Sequence, residues 1–244
     1  SQKLQVPVDA DGYMPRIYPT DDPERIIIFT FNRHQDDLRL YAVNPSSTLS
    51  QLLIQEKVNK YVKEEAMENI AILKNSILMP SDRDGFNHLY IYNMNGQLIR
   101  KVGDGDYEIT AVYGYDELTG DVYYQAAALN AHDRQVYVSH KNGRTDRLTR
   151  KEGWNSAIFS SDYKFFINTW SDMNTPYVVT TNDNQGRELS TIVDNAETAA
   201  YVKQNNFNRR EVFSFTTSEG VTLDGWMLRP ADFSPSKRYP VIMY

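Results

Sequence analysis

The sequence predicts an all-β fold built from β-propeller blades, and three observations lead to this prediction. The 244 residues include 17 Tyr and 10 Phe, and these aromatics concentrate in short alternating runs that suit a pleated, half-buried sheet. Turn glycines recur at nearly even intervals, at Gly96, Gly143 and Gly186. Each of these glycines lies in a predicted hairpin, and another pair of predicted strands precedes each hairpin. Four strands per period of about 40 to 50 residues is typical of propeller blades.

The first blade is predicted over residues 16–56. Its apolar runs cover residues 25–31, 38–43 and 49–54, and Asn44-Pro45 stands at the hairpin between the last two. Each run is short and is bounded by turn formers, which favours strands over helices. The four blades together are predicted to cover residues 16–193.

The remaining three blades repeat this organisation, with hairpin turns at Asn95-Gly96, Asn142-Gly143 and near Gln185-Gly186. Asn-Gly between alternating strands predicts a primed turn with positive φ at both central residues. A β-sandwich with regularly spaced hairpins is the alternative that the spacing leaves open. The predicted strands are 71–73, 77–79, 88–92 and 97–100, then 109–113, 122–125, 134–138 and 146–149, and finally 157–159, 164–167, 176–180 and 188–192.

The pattern changes at Asp194. Asp194 and Glu197 have the spacing of a capping box, and residues 196–204 are predicted as a short helix that ends in Asn205-Asn206. Further strands are predicted over residues 211–216, 222–228 and 240–244.

Charge and composition argue against several classes of function. The net charge is −6 and cysteine is absent. An acidic surface disfavours nucleic acid and anionic membranes as partners. The lack of cysteine excludes a disulfide framework, a thiolate zinc site and a cysteine nucleophile. No apolar run approaches the roughly 18 residues that a membrane span requires, so no membrane span is predicted.

The candidate metal ligands are better interpreted as structural residues. The segment 82–85 (DRDG) resembles the start of a calcium loop, but the later ligands and the closing Glu are missing, which favours a hairpin turn. The segment 104–106 (DGD) is a weaker candidate still. Four histidines lie in or beside predicted hairpins without a recognised ligand spacing: His34, His88, His132 and His140.

Two segments come nearest to a nucleophile elbow, which would read Gly-x-Ser-x-Gly. In residues 153–157 (GWNSA) Ser156 comes one position late and the second glycine is missing. Residues 170–172 (WSD) lack both glycines. A glycine-rich phosphate loop is also absent from the sequence. From the residues alone we therefore assign no catalytic residue, no metal ligand and no cofactor.

The C-terminal segment resembles a known family. Residues 213–230 (FSFTTSEGVTLDGWMLRP) and 235–244 (PSKRYPVIMY) are similar to the junction between propeller and hydrolase in dipeptidyl peptidase IV and its bacterial relatives, of the prolyl oligopeptidase family of serine peptidases. Weaker similarities to propeller motifs of the same branch lie upstream: 13–17 (YMPRI), 32–35 (NRHQ), 84–90 (DGFNHLY) and 107–110 (YEIT).

The resemblance implies three segments: a partial propeller at 1–193, a helical linker at 194–209, and the opening strands of an α/β-hydrolase domain at 210–244. It implies a parent enzyme that releases N-terminal dipeptides after Pro or Ala, through a Ser-His-Asp mechanism with an oxyanion hole. The family's acidic pair would precede Ser1, its oxyanion tyrosine would follow Tyr244, and its triad would come later. The chain alone is therefore expected to be inactive. In the parent enzyme it would control which peptide substrates reach the active site.

Other interpretations remain open at this point. The parent could belong to another branch of the family, such as an acylaminoacyl peptidase or an endopeptidase, or the chain could be a propeller-type binding module without catalysis. The resemblance to bacterial relatives implies an exported protein, in the periplasm or at the cell surface. Exposed strand edges predict a homo-oligomer, and no residue is assigned to substrate contact.

Overall fold

The structure, a computed structural model, describes residues 2–205 and 207–243, apart from the side chains of Glu64 and Glu65. Contacts divide the chain into two compact units. Unit 1 comprises residues 1–128 and 137–146, and unit 2 comprises residues 129–136 and 147–244. The described strands form four four-stranded sheets and one two-stranded sheet.

The first two sheets belong to unit 1, and in each of them successive strands are neighbours. The first consists of β1 (Ile17–Pro19), β2 (Ile26–Phe31), β3 (Asp37–Val43) and β4 (Ser50–Lys57). A short helix, α1 (Glu64–Glu68), follows it. The second sheet consists of β5 (Ala71–Ile72), β6 (Ser76–Ser81), β7 (His88–Asn93) and β8 (Leu98–Val102).

The third and fourth sheets repeat this order. The third consists of β9 (Ile109–Asp116), β10 (Asp121–Ala126), β11 (Gln135–Ser139) and β12 (Thr145–Arg147). The fourth, in unit 2, consists of β13 (Trp154–Phe159), β14 (Phe165–Asp172), β15 (Thr175–Asp183) and β16 (Glu188–Val193). Four consecutive antiparallel sheets of four strands confirm the predicted blades and exclude a sandwich of two sheets.

The hairpins lie where the glycines predicted them, but the turn type differs from the prediction. Gly96, Gly143 and Gly186 have φ of 79°, 88° and 79°, whereas Asn95, Asn142 and Gln185 are not among the residues with positive φ. Each glycine N–H donates to the carbonyl oxygen three residues earlier, at 2.9 to 3.0 Å. This geometry is a type I turn followed by a left-handed glycine, and not a primed two-residue turn.

A side chain at the first position of the turn explains the difference in one hairpin. Asn93 Oδ1 accepts from the backbone N–H groups of Asn95 and Gln97 at 2.9 and 3.0 Å. These bonds stabilise the longer loop, since Asn side chains readily bond the backbone two residues ahead.

Two apolar cores meet at the second sheet because its strands alternate faces. Ile77 and Met79 of β6 join the core that includes β2 and β3, whereas Leu78 joins the core that includes β10. Burial on both faces is what a blade between two neighbouring blades requires. Helix α1, which the sequence analysis did not predict, adds Met67 to the first core.

Helix α2 (Ala196–Gln204) has the predicted bounds, whereas the capping box forms only in part. The N-cap residue is Asn195, with φ of 50° and no side-chain cap hydrogen bond. Its amide instead donates to the Tyr177 carbonyl oxygen at 2.6 Å, so it ties the helix start to β15. Asp194 Oδ1 accepts from the Ala196 N–H at 3.0 Å, and the predicted helix end at Asn206 lies outside the described residues.

The last predicted strand is not observed. Strands β17 (Arg210–Thr216) and β18 (Thr222–Leu228) pair as predicted, but residues 240–243 are not a strand, and Tyr244 lies outside the described residues. Pro240 cannot donate to a ladder, and Ile242 is 92% exposed. A strand requires a partner, and none of the described strands pairs with this segment.

Candidate functional site

A cleft with a floor of polar side chains lies on one face of the fourth sheet, within unit 2. It has a volume of about 460 Å³. Its floor consists of Asn155 on β13, Asn168 on β14, and Thr180 and Asn182 on β15. These residues share a face because side chains alternate along a strand and because the register pairs Asn168 with Thr180.

The floor is buried and partly hydrogen-bonded within itself. Asn168 is 8% exposed, and its Nδ2 donates to Asn155 Oδ1 at 3.2 Å. Thr180 Oγ1 donates to Asn182 Oδ1 at 2.8 Å. Asn168 Oδ1 is buried without a hydrogen-bond partner, which marks it as an acceptor for a group that enters the cleft.

Charged residues surround this floor. Arg187 pairs with Asp183 at 2.9 Å, and the pKa of Asp183 is lowered, first of all because the Arg187 backbone N–H donates to its carboxylate. Lys151 Nζ lies 5.0 Å from the centre of the Trp170 ring. Arg150 is exposed at the rim. The cleft therefore combines amide and hydroxyl groups below with charged groups above, of which Arg150, Lys151 and Arg187 are cationic and Glu188 is anionic.

A second polar cluster, in unit 1, is built around the buried carboxylate of Glu56. Ser81 Oγ donates to Glu56 Oε1 at 2.5 Å, and Arg83 pairs with Oε2. Arg83 also donates to Tyr92 OH at 2.9 Å and lies over the Tyr90 ring. Burial raises the pKa of Glu56 despite these partners, and burial likewise raises the pKa of Tyr90 to about 12. The cluster joins β4 to the second sheet, and we interpret it as structural.

The histidines singled out in the sequence do not come together. His88 is 2% exposed and lies 3.1 Å from Asp84 Oδ1 and from the Gly105 carbonyl oxygen. His140 lies 3.0 Å from both Asp121 and Asp146. His132 lies 3.8 Å from Asp224, and His34 is exposed. Within residues 2–205 and 207–243, no group of three His, Asp or Glu residues could hold a metal ion.

The calcium-like segment forms a hairpin turn between β6 and β7, in which the Gly85 N–H donates to Asp82. Partial burial would raise the pKa of Asp84, but hydrogen bonds from Lys101 and His88 outweigh it and lower the pKa to about 2. Asp104 and Asp106 are exposed in the loop after β8.

The candidate serines lie inside strands. Ser156 pairs with Thr169 in the β13–β14 ladder, and Ser171 pairs with Trp154 in the same ladder. An elbow requires a sharp strand-to-helix turn, so neither serine has that geometry. The cleft is not predicted from the sequence. Its signal is the set of Asn residues at inward positions of β13, β14 and β15, which can be recognised only once the strand register is known.

The sequence matches the family described as the dipeptidyl peptidase IV N-terminal region over residues 1–177. The chain belongs to this family. The family match covers the first three sheets and extends to Tyr177 in β15. Among the described residues of this family member, no helix has the length and apolar character to cross a membrane.

Individual relatives extend the match beyond the family region. The crystal structure of Porphyromonas gingivalis dipeptidyl peptidase 4 is 34% identical with a TM-score of 0.92, and the alignment covers 98% of this chain and 34% of that one. An Aspergillus flavus protein named "Probable dipeptidyl peptidase 4" is 26% identical over 98% of this chain and 33% of its own length. The dipeptidyl peptidase 4 of Trichophyton equinum is 28% identical over 66% of this chain and 21% of its own length. The chain thus spans about a third or less of these relatives.

Proposed function

We propose that this chain is part of a serine exopeptidase that releases dipeptides from peptide N-termini, preferably after Pro or Ala. One observation carries the proposal: the similarity to the P. gingivalis dipeptidyl peptidase 4 structure, which covers 98% of this chain at a TM-score of 0.92. The resemblance of residues 213–230 to a junction between propeller and hydrolase supports it.

In this proposal the four sheets limit which peptides reach an active site. Catalysis would require an activated serine and donors aimed at the developing oxyanion. The 244 residues contain no Gly-x-Ser-x-Gly motif. We therefore propose that residues 1–193 contribute substrate gating and residues 210–244 the opening strands of the peptidase domain, with the linker at 194–209 between them.

The isolated 244-residue chain is expected not to hydrolyse Gly-Pro-p-nitroanilide and not to be labelled by a fluorophosphonate probe. A longer polypeptide that the same gene encodes and that contains this chain should hydrolyse the substrate and be labelled by the probe. Its sequence should carry a tyrosine soon after Tyr244 and a later Gly-Trp-Ser-x-Gly. Stoichiometric labelling of Ser156 in the isolated chain would contradict the assignment.

Other substrates separate the alternatives. Hydrolysis of acetyl-alanine p-nitroanilide would favour an acylaminoacyl peptidase, and hydrolysis of an N-blocked Gly-Pro substrate would favour an endopeptidase. Absence of any peptidase activity in the longer polypeptide would favour a binding module. We also propose an exported location, in the periplasm or at the cell surface, which cell fractionation tests.

We propose further that the chain self-associates through strand edges. The two-stranded sheet β17–β18 exposes large apolar side chains, with Phe215 48% and Leu223 45% exposed. Unpaired edges beside apolar side chains favour pairing with a second copy. Light scattering is expected to show a mass that rises with concentration, and deletion of residues 210–244 should reduce the rise. A mass that stays at 28.2 kDa at every concentration for the full chain, with the truncated chain likewise monomeric, would contradict this proposal.

A further inference from the structure

The cleft on the fourth sheet differs chemically from the cores of unit 1. There the second sheet buries mainly apolar and tyrosine side chains, and its buried polar side chains, such as Ser81 and His88, are hydrogen-bonded. The cleft floor instead buries Asn155, Asn168, Thr180 and Asn182, which are 1%, 8%, 5% and 6% exposed. Buried polar groups are costly unless they are hydrogen-bonded. A floor of this kind therefore indicates a site for a polar ligand.

Two groups of the floor have no hydrogen-bond partner among the described residues. Asn168 uses its Nδ2 on Asn155, while its Oδ1 has no partner. Asn182 uses its Oδ1 to accept from Thr180, and none of the hydrogen bonds found among the described residues uses its Nδ2. The register places Asn168 opposite Thr180 and Asn182 two residues further along β15. The floor thus offers one acceptor and one donor as diagonal neighbours.

The rim adds a cation. Arg187 is engaged with Asp183, and Lys151 lies over Trp170. Arg150 is exposed and, among the described residues, has no ion pair within 4.0 Å. Guanidinium groups bind carboxylates through two parallel hydrogen bonds. An anionic end of the ligand is therefore expected at Arg150.

We propose that this cleft binds the carboxyl-terminal end of a short peptide. A peptide amide N–H donates to Asn168 Oδ1, an amide carbonyl oxygen accepts from Asn182 Nδ2, and the terminal carboxylate pairs with Arg150. A volume of about 460 Å³ lies within the range of small-ligand sites. A neutral saccharide could bond the floor but has no anion for Arg150. This binding involves no catalytic step, so it stands or falls independently of the peptidase proposal.

Titration of the full 244-residue chain with tri-alanine tests the site, with calorimetry and with NMR of the side-chain amides as readouts. We expect saturable binding that shifts the amide signals of Asn168 and Asn182. The C-terminal amide of tri-alanine should bind at least tenfold more weakly. Absence of saturable binding would overturn the proposal, and so would binding of maltotriose in preference to tri-alanine.

Matched variants locate the contacts. Asn168→Leu removes the acceptor and should weaken binding at least tenfold, whereas Asn95→Leu, at an exposed turn in unit 1, should not. Asn182→Asp replaces the donor without a change of shape and provides a second test if Asn168→Leu fails to fold. Arg150→Ala should abolish the preference for the free acid, whereas Arg33→Ala should leave it. Unchanged binding in a folded Asn168→Leu or Asn182→Asp variant would overturn the assignment.

Discussion

Gly186→Ala is expected to destabilise unit 2 by roughly 3 kcal/mol, through positive-φ strain of about 1–2 kcal/mol and overpacking of a similar size. Gly186 has a φ of 79° and closes the β15–β16 hairpin. A Cβ at this position would overlap the carbonyl oxygen of Leu148, which is backbone and cannot rotate away. The substitution therefore forces the hairpin off the segment on which it rests.

Urea unfolding followed by tryptophan fluorescence measures this effect, because Trp154, Trp170 and Trp226 all lie in unit 2. Gly220→Ala is the matched control, since Gly220 has a φ of 81° and a Cβ there would meet nothing within 4 Å. It should cost only the strain, about 1–2 kcal/mol. Equal losses in the two variants would show that the contact with Leu148 is unimportant.

The same contact recurs in unit 1. A Cβ at Gly96 would overlap the carbonyl oxygen of Leu53 in β4, whereas one at Gly143 would meet nothing within 4 Å. In the hairpins at Gly96 and Gly186, the glycine thus packs directly against a backbone carbonyl oxygen of an earlier segment, where a side chain would not fit. The intervening hairpin at Gly143 requires its glycine for conformation alone.

Arg83→Met is expected to destabilise unit 1 by about 3 kcal/mol at pH 7, because it leaves a buried carboxylate without its counter-ion. The Glu56 side chain is 5% exposed and that of Arg83 is 32% exposed. Burial raises the pKa of Glu56 above 4.5, and the charge of Arg83 opposes that rise. Removal of Arg83 therefore raises the pKa further.

The pH dependence follows from this direction. A carboxyl group with a raised folded-state pKa contributes most to stability when it is protonated, and that contribution is lost as the pH rises through the folded pKa. The loss caused by Arg83→Met should thus be small below pH 4.5 and grow toward neutral pH. Unfolding followed by far-ultraviolet circular dichroism, in acidic and in neutral buffer, measures the difference.

Two controls make this result specific. Glu56→Gln combined with Arg83→Met removes both charges and should recover most of the stability at pH 7. Lys63→Met breaks the exposed pair with Asp82, in which the side chains are 53% and 40% exposed, and should cost less than about 1 kcal/mol. The same loss at acidic and neutral pH would show that Glu56 is not the group left unpaired.

Local signals in the sequence were sufficient for most strands and for the bounds of α2. The hairpin at Gly96 follows from Asn95-Gly96 between alternating strands, since turn chemistry depends on a few adjacent residues. The predicted turn type was wrong because the side chain of Asn93, at the first position of the turn, accepts from the backbone N–H groups of Asn95 and Gln97. The capping box formed only in part: Asp194 accepts from the first-turn N–H of Ala196 as predicted, whereas the N-cap residue Asn195 bonds Tyr177, a contact that no local pattern contains.

Four consecutive sheets of four strands follow from the pattern of residues along the chain, and the junction segment alone indicates the peptidase family. Strand periodicity, turn residues and a sequence motif each depend on residues that are close together in the chain. Three relations become visible only in the folded chain: Glu56 is buried against Arg83, Gly186 packs on the Leu148 carbonyl oxygen, and Asn168 lines a cleft with Asn182. Those relations depend on strand register and on contacts between residues distant in the chain, where one residue of slip reverses every face.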